Sequence, residues 1–83
     1  MKFDDRTFET MIASDLVRDG MSLEVWETID GRRAQVAEVF YSDVTGRFAF
    51  SAFEECLPLG LVEIMSRMAR ERLVPAKELV GES

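Results

Sequence analysis

The chain has no histidine and a single cysteine, Cys56, and these two shortages remove much of protein chemistry at the outset. Without imidazole there is no His-based general acid or base, no Ser-His or Cys-His nucleophile pair, and none of the common zinc sites. A lone thiol closes no intramolecular disulfide and has no second thiol to cycle with, which points to a reducing, cytoplasmic setting. No apolar run nears the roughly 18 to 20 residues that a membrane-spanning helix needs. The opening residues Met1-Lys2-Phe3-Asp4-Asp5 are acidic where an export signal would be basic and then apolar. The phosphate-cradling patterns GxGxxG and GxxxxGK[ST] are missing, so nucleotide binding has no local support. Basic charge is scarce as well. Sixteen acids against ten bases leave a net charge of -6, all of it carried by residues 1–57, since the remainder holds equal numbers of each sign. Phosphate backbones are repelled by such a surface, so neither nucleic acid nor membrane is expected as a partner.

What is present suits one small folded domain. At 83 residues, such a chain buries only about 60–65% of its unfolded surface. Its apolar fraction of 47%, with six Phe, one Trp and one Tyr, is ample for a core. Residues 4–19 carry Phe8, Met11, Ile12 and Leu16 at three- and four-residue steps. With Asp4 as an N-cap, Phe3 and Phe8 as a hydrophobic staple and Gly20 as a stop, this pattern predicts a helix. From Met21 the period changes to two. Strands are expected at about 21–29, 33–41 and 47–53, joined by Asp30-Gly31, which suits a two-residue type I′ turn, and by Asp43-Val44-Thr45-Gly46. Pro58 suits the first position of a second helix over about 58–73, whose stripe is Leu61, Val62, Met65, Met68, Ala69 and Leu73. Pro75 ends it, leaving a short tail over 75–83 with room for one helical turn at 76–79. The expectation is therefore a single α+β domain over 1–83 with order α-β-β-β-α, a three-stranded antiparallel meander packed with two helices.

A turn confined to Asp30-Gly31 sets Val25 opposite Val36, Trp26 opposite Gln35 and Leu23 opposite Glu38, and the next hairpin sets Phe40 opposite Phe50. Both faces of the sheet are then apolar. One face bears Leu23, Val25, Ala34, Val36, Phe40, Phe48, Phe50 and Ala52; the other bears Trp26, Ala37, Val39, Tyr41, Ala49 and Phe53. Two oily faces need two covers, so Trp26, Val39, Tyr41 and Phe53 are the candidate interface for a second copy. Glu38 falls on the better-packed face and is a candidate buried acid; a bulge that moves it outward, or an arginine that covers it, would make it structural. Cys56 reads as a small buried hydrophobe at a strand-to-helix junction. The acids Asp15, Asp19, Glu24, Glu27, Asp30, Glu54 and Glu55 lack the DxDxDG spacing of a calcium loop and read as a solvated face. No catalytic residue, metal or cofactor is indicated.

In its α-β-β-β-α order the chain resembles the double-stranded-RNA-binding domain. That family straddles phosphates with lysines at the start of its second helix, where this chain has Pro58-Leu59-Gly60-Leu61-Val62-Glu63 and no base. The resemblance is one of topology and does not imply RNA binding. The hairpin VAEVFYSDVTGRFAFSAF followed by LPLGLVEIMSRMARERL is also similar to small uncharacterised bacterial proteins of mobile elements, such as integron gene cassettes, and to meander-plus-helix inhibitors including some anti-CRISPR proteins. That resemblance implies an accessory protein acting by binding. The leading expectation is a non-enzymatic interaction protein forming a homodimer through an apolar sheet face. The alternative is an acidic inhibitor or immunity-type protein that blocks a basic, nucleic-acid-binding surface of a target. A third reading, a small-molecule module or weak enzyme, sets a ligand between sheet and helix with Glu38 as its polar contact.

Overall fold

A computed structural model describes residues 1–75. Five strands run as a continuous antiparallel meander: β1 Lys2–Phe3, β2 Arg6–Asp15, β3 Gly20–Ile29, β4 Arg32–Ser42 and β5 Phe48–Ala52. They form a curled half-barrel. One helix, α1 Leu59–Arg72, lies on the inner face over β3 and β4. Among the described residues no helix is long and apolar enough to cross a membrane. The expected turn at 76–79 lies outside the described residues.

The expected first helix over 4–19 is instead the strand β2, and this overturns the α-β-β-β-α order together with its topological likeness to the double-stranded-RNA-binding domain. Asp4 and Asp5 form a two-residue turn between Phe3 and Arg6, with Asp4 at φ 54°, so Asp4 caps nothing. β2 then pairs with β3 from Thr7↔Thr28 to Asp15↔Gly20. Phe8, Thr10, Ile12 and Ser14 share one side and Glu9, Met11 and Ala13 the other, a period of two diluted because Thr10 and Ser14 are polar. A long ladder outweighs the modest helix preference of a segment holding Thr7, Thr10, Ser14 and Asp15. Gly20 is no helix stop; it sits buried in β3. A Cβ there would overlap the Tyr41 carbonyl oxygen and stand 2.7 Å from the Phe40 ring.

The Asp30-Gly31 turn forms as expected, with φ of 51° and 77° and Ile29 paired to Arg32. Trp26 faces Gln35 as expected, but Val25 then faces Ala37, so Val36 is the extra residue of a β-bulge in β4. Past the bulge the register moves by one. Leu23 faces Val39 rather than Glu38, and β5 follows with Tyr41↔Phe48, Phe40↔Ala49 and Val39↔Phe50. A one-residue slip exchanges the two faces of a strand. Val39 and Tyr41 therefore point inward, while Glu38 and Phe40 point outward. The inner face and the stripe Leu61, Met65, Ala69 and Leu73 of α1 close one core with Phe8, Leu23, Val25, Val36 and Ala37. The helix begins after Pro58 without a side-chain cap and ends at Leu73, close to the expected limits.

Candidate functional site

The residues expected to form one interface are dispersed. Val39 and Tyr41 point inward and are buried in the core, Tyr41 only 2% exposed. Trp26 lies on the outer face, where its Nε1 donates to Glu24 Oε1 at 3.0 Å and the Arg33 guanidinium stands 5.1 Å over its ring. Phe53 follows β5 and is exposed. The bulge separates them, and nothing in the residue pattern announced it, because both faces are apolar in either register.

Glu38 shares the outer face with Phe40 and is covered by an arginine from the β2–β3 turn. Arg18 Nη2 donates to Glu38 Oε2 at 2.8 Å, its Nε donates to Asp15, and its guanidinium lies 4.2 Å over the Phe40 ring. Hydrogen bonds to Glu38 and Asp15 raise Arg18 beyond its already high value, so it stays charged. The Asp15 carboxyl is held below the ordinary range, first by the Arg18 backbone amide and then by its side chain. Glu38 thus serves as a structural carboxylate on the face opposite α1. A ligand between sheet and helix could not use it as a polar contact.

The buried acid is Glu27, which does not belong to the solvated face expected for it. It faces Phe8 across β2 and β3 on the inner side and is 3% exposed. Arg6 answers it with two parallel bonds, Nε to Oε2 and Nη2 to Oε1, both 2.8 Å, and its Nη1 donates to the Cys56 carbonyl at 3.0 Å. The Arg6 hydrogen bond holds the Glu27 carboxyl below its usual range, outweighing the upward push of burial. This pair ties β2 and β3 to the chain entering α1. Its sequence signal is Glu27 standing among Val25 and Ile29 on the apolar side of its strand. Cys56 is exposed, with φ of 58°, so it is not the buried hydrophobe expected.

Docking chemistry gathers at β5. Along a strand, successive residues turn their amide and carbonyl to opposite sides. Phe53 N donates to Val36 O at 2.8 Å and Arg47 O accepts from Ser42 N at 3.0 Å, so the odd-numbered residues bond toward β4. Phe48, Phe50 and Ala52 therefore direct their N–H and C=O groups at the other edge, which no strand occupies among the described residues. The strand is Phe-Ala-Phe-Ser-Ala, with no charge, proline or bulge. Beside it α1 stops short of covering the sheet, leaving an open apolar cleft of about 280 Å³ lined by Val39, Phe48, Phe50, Val62, Ser66 and Arg70. Phe50 is 50% exposed at its rim. The opposite edge of the sheet is guarded differently: β1 and the Met1 amine, which donates to Phe8 O at 2.9 Å, cover the start of β2.

Compared with family models, curated proteins and solved structures, the chain matches none.

Proposed function

We propose that this chain is a non-enzymatic protein-interaction module that receives a polypeptide strand along the outer edge of β5, with the β5–α1 cleft taking the incoming side chains. The observation that carries this reading is a sheet edge that no other strand pairs among the described residues, beside a largely apolar cleft. Sheet edges are ordinarily blunted by lysine, proline or a bulge, because a row of unpaired amides and carbonyls recruits another chain. β5 has none of these devices. Strand addition takes affinity from main-chain hydrogen bonds and selectivity from pockets for alternate side chains. Phe48, Phe50 and Ala52 supply the first, and the cleft supplies the second. The lone cysteine supports a cytoplasmic setting.

A soluble peptide of residues 47–53 flanked by lysines tests strand addition directly. Titrated into the protein, it is expected to protect the amides of Phe48, Phe50 and Ala52 from hydrogen exchange while leaving those of Ala49 and Ser51 unchanged. Binding that leaves these three amides unprotected, or no binding at millimolar peptide, refutes the reading.

A second reading, in which the chain covers a basic surface of a target, is supported by a concavity of about 470 Å³ bordered by Asp5, Asp30, Glu54 and Glu55. The Arg6 guanidinium there is engaged by Glu27 and, at 3.7 Å, by Glu54, while Asp5, Asp30 and Glu55 are exposed. Its mark would be target binding that weakens steeply as salt rises.

A further inference from the structure

We infer that the strand received by β5 is β5 of a second copy, so that two chains join through an antiparallel β5–β5 pair whose two-fold axis passes between the two Phe50 residues and between the two Ser66 residues. This rests on the strand-addition reading and names the partner.

Three features of the surface are self-complementary. The outward-facing backbone groups belong to Phe48, Phe50 and Ala52, which are symmetric about Phe50. An antiparallel copy centred there pairs Phe50 with Phe50 and Phe48 with Ala52, and every outward amide and carbonyl of the strand finds a partner. The helix repeats the same symmetry. Val62, Ser66 and Arg70 line the cleft at four-residue steps, and the Arg70 guanidinium stands 5.3 Å over Phe48, so α1 runs antiparallel to β5 with Ser66 near Phe50. The axis through Phe50 then sets Val62 of one copy toward Arg70 of the other, with Glu63 next to it.

Spacing supports the same occupant. With α1 over β3 and β4 and strands about 4.8 Å apart, the two helix axes stand roughly 19 Å apart across the axis. Subtracting one helix diameter of about 10–12 Å leaves a slot of about 7–9 Å above the paired strands, open to their inward side chains. Phe48 and Phe50 of both copies fill it. Charge agrees as well. Each copy carries -6, yet β5 has no charged residue and, among the described residues, the cleft is lined by no acid and by one base, Arg70, so this contact brings no acid against acid. Phe50, half exposed at the centre of the proposed contact, supplies apolar area that pairing removes from water.

Sedimentation equilibrium of the full chain up to a few hundred micromolar, together with thiol pairing, tests this. In a Cys56→Ser background, Ala49 and Ser51 lie opposite each other across the proposed axis in a non-hydrogen-bonded pair, the closer of the two antiparallel spacings. A49C mixed with S51C is expected to give a disulfide-linked dimer under mild oxidation, while each variant alone gives at least tenfold less. Ala52→Pro removes an amide that bonds nothing among the described residues, so it is expected to keep the fold and weaken association at least tenfold. Pairing of A49C with itself, or association unmoved by Ala52→Pro, overturns the placement of the axis. A monomer at every concentration overturns the inference; the peptide of residues 47–53 then decides separately whether strand addition stands. A monomer whose Phe48, Phe50 and Ala52 amides are already protected overturns both.

Discussion

Arg6→Met is expected to cost the protein about 3 kcal/mol. The substitution keeps most of the packing over Phe8, whose ring lies 5.0 Å from the guanidinium, but removes both bonds to Glu27 and the bond to the Cys56 carbonyl. Hydrogen bonds to charged groups contribute about 1.5–3 kcal/mol each, and the partial exposure of Arg6 lets water replace some of that. The cost is dominated by the carboxylate left behind, because Glu27 is 3% exposed. In a domain this small, about 3 kcal/mol lowers Tm by roughly 12–24 °C, which calorimetry resolves easily. Adding Glu27→Met removes the stranded charge and is expected to return the protein to within about 1 kcal/mol of the parent. The pair also sets an acid response. Because Arg6 depresses the Glu27 carboxyl when folded, the unfolded chain binds the more protons between the ordinary glutamate pKa of about 4.3 and the lower folded value. Stability therefore rises with pH through that window, is fully present above it and is lost as acid protonates the folded carboxyl; Glu27→Gln removes this component. A loss under 1 kcal/mol for Arg6→Met, or a double variant no more stable than the single, refutes the reasoning.

Three other outcomes follow from the packing. Gly20→Ala is expected to destabilise by about 2–3 kcal/mol in urea unfolding, since its methyl meets the Tyr41 carbonyl and the Phe40 ring and β3 must move away from β4. Met65→Ala, beneath the centre of α1 and fully buried, is expected to cost about 2–4 kcal/mol by the same assay. Trp26→Glu is expected to leave association constants unchanged within twofold, because Trp26 lies on the outer face, away from β5 and its cleft; a loss of association would restore the outer face as the interface.

The sequence carried the second half of the fold more legibly than the first. Asp30-Gly31 announces its turn because few residues accept two consecutive positive φ angles, and Pro58 followed by the Leu61, Met65, Ala69 and Leu73 stripe announces α1. Residues 6–15 misled because two periods coexist there. Phe8, Met11, Ile12 and Leu16 fit a helix by spacing, whereas Leu16 is almost wholly exposed in a turn and Met11 faces away from Phe8. What decides between them is the ladder to β3, a long-range term absent from any local pattern. The inserted Val36 in β4 had a similar effect on the site. It exchanged the faces of Val39, Tyr41 and Glu38, turning an expected interface into core and an expected buried acid into the outward partner of Arg18. Glu27, at an inward position of its own strand, was the one carboxylate whose burial could be read locally, and it needed Arg6 from a segment expected to be helical.

Amide hydrogen exchange at β5, measured on the same protein at one micromolar and at several hundred micromolar, tests the central claim most directly. The account expects Ala49 and Ser51, which bond to β4, to be protected at both concentrations, and Phe48, Phe50 and Ala52 to become protected only when the protein is concentrated. Identical exchange of those three amides at both concentrations would contradict it.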